Sequence, residues 1–160
     1  MRSNTTAAAE SAPGGVEIRA ASWRDFLPVH RLEKACFQKD AWPWIDVLAA
    51  LTFPETVRYV AVCDERIVGF VVGDRRQRQG VGWIATIGVH PAYRGRKIGT
   101  KLLDLCEHGL NMTRVRLSLR PSNQAALHLY QRQGYIEVDR WPRYYSGGED
   151  ALVMEKSMST

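Results

Sequence analysis

A chain of 160 residues, 45% apolar and 24% charged, can fill one hydrophobic core and reads as one domain. No run approaches the roughly 18 apolar residues a membrane span needs, and residues 1–15 lack the apolar stretch of a secretory signal, so a cytoplasmic protein with no membrane partner is expected. The formal net charge of +5 favours a polyanionic partner, either nucleic acid or the phosphates of a nucleotide. Cys36, Cys63 and Cys106 are odd in number, widely spaced and free of any C-x-x-C pair. They predict neither disulfides nor a metal site, but three small buried apolar residues.

Residues 1–15 are rich in Ala, Ser, Thr and Gly and carry too little apolar surface to order, so a disordered tail is expected there. The folded domain is expected over residues 16–157. Val16 to Ala20 alternates as a half-buried strand does. Ser22-Trp23-Arg24-Asp25 resembles a capping box and opens a helix carrying Leu27, His30, Leu32 and Cys36. Glu33 on this helix reads as a solvated surface group. Ala41-Trp42-Pro43-Trp44 interrupts the pattern, a second short helix runs from Trp44 to Leu51, and Pro54 breaks it.

Val57 to Val62 and Ile67 to Val72 predict two strands joined by a hairpin at Asp64-Glu65-Arg66. Arg75, Arg76 and Arg78 follow in what reads as a solvated loop. Trp83 to Val89 is a third apolar run, closed by His90-Pro91, where the histidine reads as a turn residue. A helix over Ile98–Leu110 places Ile98, Leu102, Leu105 and Cys106 on one face. Val115 to Leu119 alternates again. Pro121-Ser122-Asn123 opens a helix that Gly134 ends in a left-handed turn. Tyr135–Val138 and Ala151–Met154 complete an α/β sheet of mixed strand direction.

The segment richest in chemistry is a buried strand, a proline turn and then Arg94-Gly95-Arg96-Lys97-Ile98-Gly99-Thr100 entering a helix. A helix N-terminus presents unpaired N–H groups and partial positive charge, and glycines before it admit a phosphate or pyrophosphate closely. A Walker loop would need a Gly-Lys pair before Ser/Thr, and a dinucleotide fingerprint would need Gly-x-Gly-x-x-Gly; neither is present.

Ile84 to Pro91 followed by Arg94 to Thr100 resembles the acetyl-CoA motif Arg/Gln-x-x-Gly-x-Gly/Ala of the GNAT acetyltransferases, with Lys97 at the first glycine position. Lys97 is expected to start the helix with an ordinary helical φ. A second block, Ser122-Asn123 through Ala126, Leu129-Tyr130 and Gly134-Tyr135, is similar to the family's Ser-Asn-x-x-Ala-x-x-Leu-Tyr-x-x-x-Gly-Phe, with Tyr135 in place of Phe. Tyr144-Tyr145 followed by Glu149 to Met154 resembles the tail of the ribosomal-protein alanine N-acetyltransferase branch.

That resemblance implies a single-domain GNAT fold: a mixed, mostly antiparallel sheet of about seven strands with four helices, splayed between the fourth and fifth strands. It implies that Ile87, Gly88 and Val89 face the pantetheine arm of acetyl-CoA, with the Val89 N–H polarising the thioester carbonyl. The amides of Gly95, Arg96, Lys97, Ile98, Gly99 and Thr100, with the Arg94 charge, would hold the pyrophosphate, and Asn123 would touch the coenzyme's arm. Tyr130 matches the family's general acid. A phenol near about 10 gives a proton to a thiolate near about 8.5 at modest cost, although its i, i+4 spacing from Ala126 also suits a core tyrosine.

On the acceptor side the resemblance points to Trp42, Ser118, Tyr144 and Tyr145, whose aromatic rings serve packing equally well. Relatives acting on protein N-termini carry a Glu or His base where this chain has Ser118, and others a Tyr where it has Trp83, so no strong base is evident. At neutral pH an α-amine is already roughly a tenth neutral, and a lysine only about once in a few thousand. The expected reaction is therefore acetyl transfer from acetyl-CoA to a primary amine, a protein or peptide N-terminus above all. A degenerate acyl-CoA-binding module, a small-molecule amine acetyltransferase and a basic nucleic-acid-binding domain are the alternatives; a monomer and a homodimer both fit.

Overall fold

The computed structural model describes residues 15–159, so the tail expected over residues 1–15 lies, except for Gly15, outside the described residues. Seven strands form one sheet in the order β1-β2-β3-β4-β5-β7-β6. They are β1 (Val16–Ala20), β2 (Thr56–Cys63), β3 (Arg66–Arg76), β4 (Val81–Val89), β5 (Arg114–Leu119), β6 (Ile136–Trp141) and β7 (Ala151–Ser157). Four α-helices accompany them: α1 (Phe26–Phe37), α2 (Trp44–Thr52), α3 (Ile98–Leu110) and α4 (Gln124–Arg132).

Local sequence explains most of these boundaries. The Ser22 N–H donates to Asp25 Oδ2 at 2.9 Å, so the capping box opens a short 3-10 turn that runs into α1. Asp64 and Glu65 both take positive φ (48° and 63°), which the two-residue turn between β2 and β3 requires to match strand twist. Gly134 has a φ of +94°, and its left-handed turn ends α4 as expected.

α3 packs with Tyr130 and Tyr135 in the larger core, on Leu102, Leu103, Cys106 and Leu110. α1 and α2 form a second core on Val29, Leu32, Val47, Leu51, Val60 and Phe70. Leu105, expected in the first core, is 39% exposed; the buried face of α3 runs through Leu103 and Leu110 instead.

Two further expectations are corrected. Arg75 and Arg76 lie on β3, which runs on to Arg76. Arg75 donates to the carbonyls of Gly109 (2.6 Å) and Leu110 (3.2 Å) at the end of α3, where orphan carbonyls attract a cation, and Arg76 lies 4.7 Å above the Trp83 ring. Of the three cysteines, Cys63 and Cys106 are buried but Cys36 is only half-buried.

One junction of the sheet is incomplete. β4 and β5 run parallel and pair only at Gly82–Val115 and Trp83–Arg116. Beyond that point β4 stays on β3 and β5 stays on β7, so the facing edges of residues 84–89 and 117–119 diverge into a gap. A bulge in the β3–β4 register between Val72 and Gly73 bends β4 there, as bulges do.

Candidate active site

At the open end of the gap β4 leaves the sheet through a proline turn. His90 Nδ1 accepts from the Ala92 N–H at 3.1 Å, so this histidine caps the turn. The His90 N–H bonds to the Val68 carbonyl. Amide direction alternates along a strand, so the Val89 N–H points the other way, into the gap. At Gly88 a Cβ would meet the Phe70 ring at 2.9 Å and Cys36 Sγ at 3.1 Å, so the missing side chain lets β4 pack closely under α1.

The cradle follows at once. Gly95 has a φ of +79° and Lys97 a φ of +62°, so Lys97 does not start the helix in helical geometry as expected: it is a left-handed N-cap. It takes the conformation for which its relatives use glycine, at a cost of about 1–2 kcal/mol. The first helical bond runs from the Lys101 N–H to the Lys97 carbonyl. The amides of Ile98, Gly99 and Thr100 therefore have no partner within the helix. No acidic residue stands in the first turn of α3, and Arg94, Arg96 and Lys101 surround it. The Arg94 Nε donates to the Val89 carbonyl at 3.2 Å and the Arg96 guanidinium lies 5.0 Å from the Tyr93 ring. Successive free amides with left-handed residues between them form a nest for an anion.

Tyr130 lies on α4, near Tyr145. It is buried, edge-on to Tyr135 at 5.8 Å between ring centroids. Burial, with Tyr145 nearby, pushes its phenol up to about 12. Tyr135 donates to Glu107 at 2.7 Å, and Lys156 donates to the same carboxylate at 2.9 Å; a Tyr replaces the family's Phe here because a buried carboxylate awaits its hydroxyl. Asn123 Oδ1 accepts from the Ala126 N–H at 3.3 Å, so Asn123 caps α4 beside the gap.

The opposite face is built from side chains. The Tyr145 hydroxyl donates to Ser118 Oγ at 3.4 Å, and burial raises its pKa above the ordinary phenol value. Tyr144 is exposed and packs edge-on against Tyr145 and at a tilt on Trp141. Trp83 stacks on Trp141 at the closed end of the gap. Trp42, Pro43 and Trp44 line an open groove of roughly 520 Å³ with His30 and Lys34.

The sequence matches the model of the acetyltransferase (GNAT) family over residues 17–135. The chain belongs to the GNAT acetyltransferase family. It is 34% identical over 143 residues to an uncharacterized N-acetyltransferase of Methanocaldococcus jannaschii, spanning 87% of this chain and 90% of that protein. It is also 36% identical over 101 residues to the catalytic subunit of the N-terminal acetyltransferase B complex of Arabidopsis thaliana, covering 59% of this chain and 58% of the relative. The fold is that of the ribosomal-protein alanine N-acetyltransferase of Escherichia coli, with a TM-score of 0.82 at 20% identity over 91% of this chain and 95% of that one.

As a GNAT acetyltransferase the chain is an enzyme. Ser118 and Tyr145 are in contact and Tyr130 lies near Tyr145, while Tyr144 is exposed. Among the described residues no helix is long and apolar enough to cross a membrane, and no group of three or more His, Cys, Asp or Glu is placed to hold a metal.

Four further residues join the candidate acceptor segments without having been singled out from the sequence for that role. Glu33 is not solvated: it is 1% exposed, its Oε2 accepts from the Trp42 N–H at 2.7 Å, and its Oε1 has no partner. It borders a void of about 10 Å³ with Trp42, Phe70 and Thr86, and burial raises its pKa despite the Trp42 bond. Its signal was present, since Val29, Leu32, Glu33 and Cys36 share one helical stripe by i, i+3, i+4, i+7 spacing. Asp40, Arg120 and Glu149 form an ion cluster that carries no local signal.

Proposed function

We propose that the enzyme transfers an acetyl group from acetyl-CoA to the α-amine of a peptide or protein N-terminus in a ternary complex. The observation that carries this reading is the gap between β4 and β5, with an anion nest at its mouth, a buried tyrosine on one side and an aromatic-lined cleft on the other. The nest of residues 95–100 fits a diphosphate, and the unpaired edge of β4 fits an extended amide-bearing arm bonded like an added strand.

Acetyl-CoA supplies the activated acetyl group as a thioester. The Val89 N–H donates to the carbonyl oxygen as negative charge grows there. The amine nitrogen forms the new C–N bond, the C–S bond breaks, and Tyr130 gives its proton to the departing thiolate. The proton shed by the amine passes to water, and Tyr130 is reprotonated from solvent. A phenol held near about 12 is protonated at neutral pH, and the dry site that raises it raises the thiol as well.

The acceptor follows from the missing base. Ser118 stands where relatives carry a proton acceptor, and its Oγ already accepts from Tyr145. An amine that is partly neutral at working pH is the acceptor such a site can use. The relation to an N-terminal acetyltransferase catalytic subunit supports the same choice.

Thiol release from acetyl-CoA tests the reading. A peptide with a free N-terminus is expected to react about two orders of magnitude faster in kcat/KM at pH 7 than its N-blocked counterpart with an internal lysine, in line with the neutral fractions of the two amines. Equal rates for the two peptides would sink it.

A further inference from the structure

Arg120 follows β5 directly, outside both motif blocks, and gathers three segments. Its Nε and one Nη donate to Asp40, at 2.6 and 2.7 Å, in the stretch between α1 and α2. The other Nη donates to Glu149 at 3.0 Å, and the first also to the Ser146 carbonyl at 2.9 Å, both in the connection between β6 and β7. The guanidinium lies 4.8 Å from the Tyr145 ring centroid. Glu149 in turn accepts from the Ser122 N–H at 2.8 Å and the Ser122 hydroxyl at 3.0 Å.

We infer that Arg120 is a positioning residue that ties the two walls of the acceptor cleft together and thereby sets Tyr145 against Ser118 before an acceptor arrives. This rests on reading that cleft as the acceptor site. The Asp40 segment runs on to Trp42, and the connection that holds Glu149 also holds Tyr144 and Tyr145, so the ion cluster joins the two candidate acceptor segments.

The tip between Tyr145 and Glu149 is a small closed turn. Its internal bonds run from the Tyr145 N–H to the Glu149 carbonyl and from the Gly148 N–H to the Tyr145 carbonyl, and Gly147 and Gly148 both have positive φ. Such a turn holds its own shape but not its place on the molecule. Its place is set by Arg120 and by the Glu149–Ser122 bonds. Only a planar fork with five donors serves a bidentate carboxylate, a second carboxylate, a carbonyl and a ring at once; an ammonium lacks that geometry. The side chains of Arg120, Asp40 and Glu149 are 16%, 24% and 28% exposed, so the cluster is sheltered from solvent more than a rim ion pair is.

The test is Arg120→Lys, which keeps the charge and loses the fork. The peptide KM is expected to rise about tenfold, since an uncoupled wall must be ordered by the substrate itself. The kcat should stay within about threefold, and coenzyme affinity by calorimetry should be unchanged. Without any ligand, hydrogen exchange should speed up in residues 38–43 and 144–149 together. If R120K does not fold, Asp40→Asn cuts one arm, and it should loosen 38–43 while 144–149 stays protected. Unchanged protection in both segments, or equal losses of peptide and coenzyme affinity, would overturn the inference. Loosening of both segments in an enzyme that acetylates no peptide would uphold the clamp and reject the acceptor reading instead.

Discussion

On one side of the gap the proposed anion nest is made of backbone: the amides of residues 95–100, with left-handed residues at Gly95 and Lys97. On the other side the proposed acceptor cleft is made of side chains brought from distant positions, with Glu33 bonded to the Trp42 N–H and Arg120 between Asp40 and Glu149. A phosphate needs several N–H donors at close range, which one helix N-terminus supplies. An acceptor peptide needs shape and selectivity, which a backbone alone cannot encode. The donor side is therefore local in sequence and the acceptor side is not.

Tyr130 stands where the two sides meet, and its removal is the largest effect expected. Tyr130→Phe should lower kcat by about 10²–10⁴, the range for loss of a general acid, with coenzyme affinity unchanged. Because burial holds the phenol near about 12, it stays protonated well above neutrality. The wild-type rate should therefore rise as the acceptor amine deprotonates and not fall between about pH 8 and 10. A loss below tenfold in kcat, or a falling limb in that window, would move the proton donor elsewhere.

Tyr135→Phe asks whether the packing behind Tyr130 depends on a polar contact. The variant leaves Glu107 buried with Lys156 as its remaining partner and should cost about 1–3 kcal/mol in denaturant unfolding. Lys97→Gly tests the backbone character of the nest directly. It removes the left-handed strain of a non-glycine residue and should stabilise the fold by about 1 kcal/mol, or roughly 2–4 °C in Tm for a chain of this size. If amides hold the diphosphate, coenzyme affinity by calorimetry changes by less than about threefold despite the lost charge. A tenfold loss would show that the nest depends on the lysine side chain, and the contrast between the two sides would fail.

The same contrast explains what was legible. The strands and helices followed from alternation and capping, which act within a few residues, and the gap from the family resemblance that two motif blocks carry. Lys97 stands at the start of α3 but with a left-handed φ, which a lysine does not signal as a glycine would. Arg75 looked like loop because its partners, the last carbonyls of α3, lie 34 and 35 residues away. Arg120 and Asp40 are separated by 80 residues, and nothing near either one announces the other. Glu33 was the one acceptor residue within reach of pattern, since it interrupts an apolar stripe where a solvated carboxylate has no place.

Glu33→Gln is the smallest perturbation and the finest probe of the acceptor side. Burial raises the folded-state pKa of Glu33, so the folded protein favours the protonated carboxyl more than the unfolded chain does. Stability from this group is then present below the unfolded value of about 4.3 and is lost as pH climbs through the raised folded value. A glutamine is neutral throughout, and its carbonyl can still accept from the Trp42 N–H. The Tm of the variant should match the wild type near pH 4 and exceed it near pH 8, because the wild type alone must keep an anion in an apolar void. Glu33→Leu, which leaves that N–H without its acceptor, should raise the peptide KM, whereas Gln should leave it within about twofold. A Tm gap that stays constant with pH, or Gln and Leu variants that behave alike toward peptide, would mean that neither the charge nor the hydrogen bond of Glu33 shapes this wall.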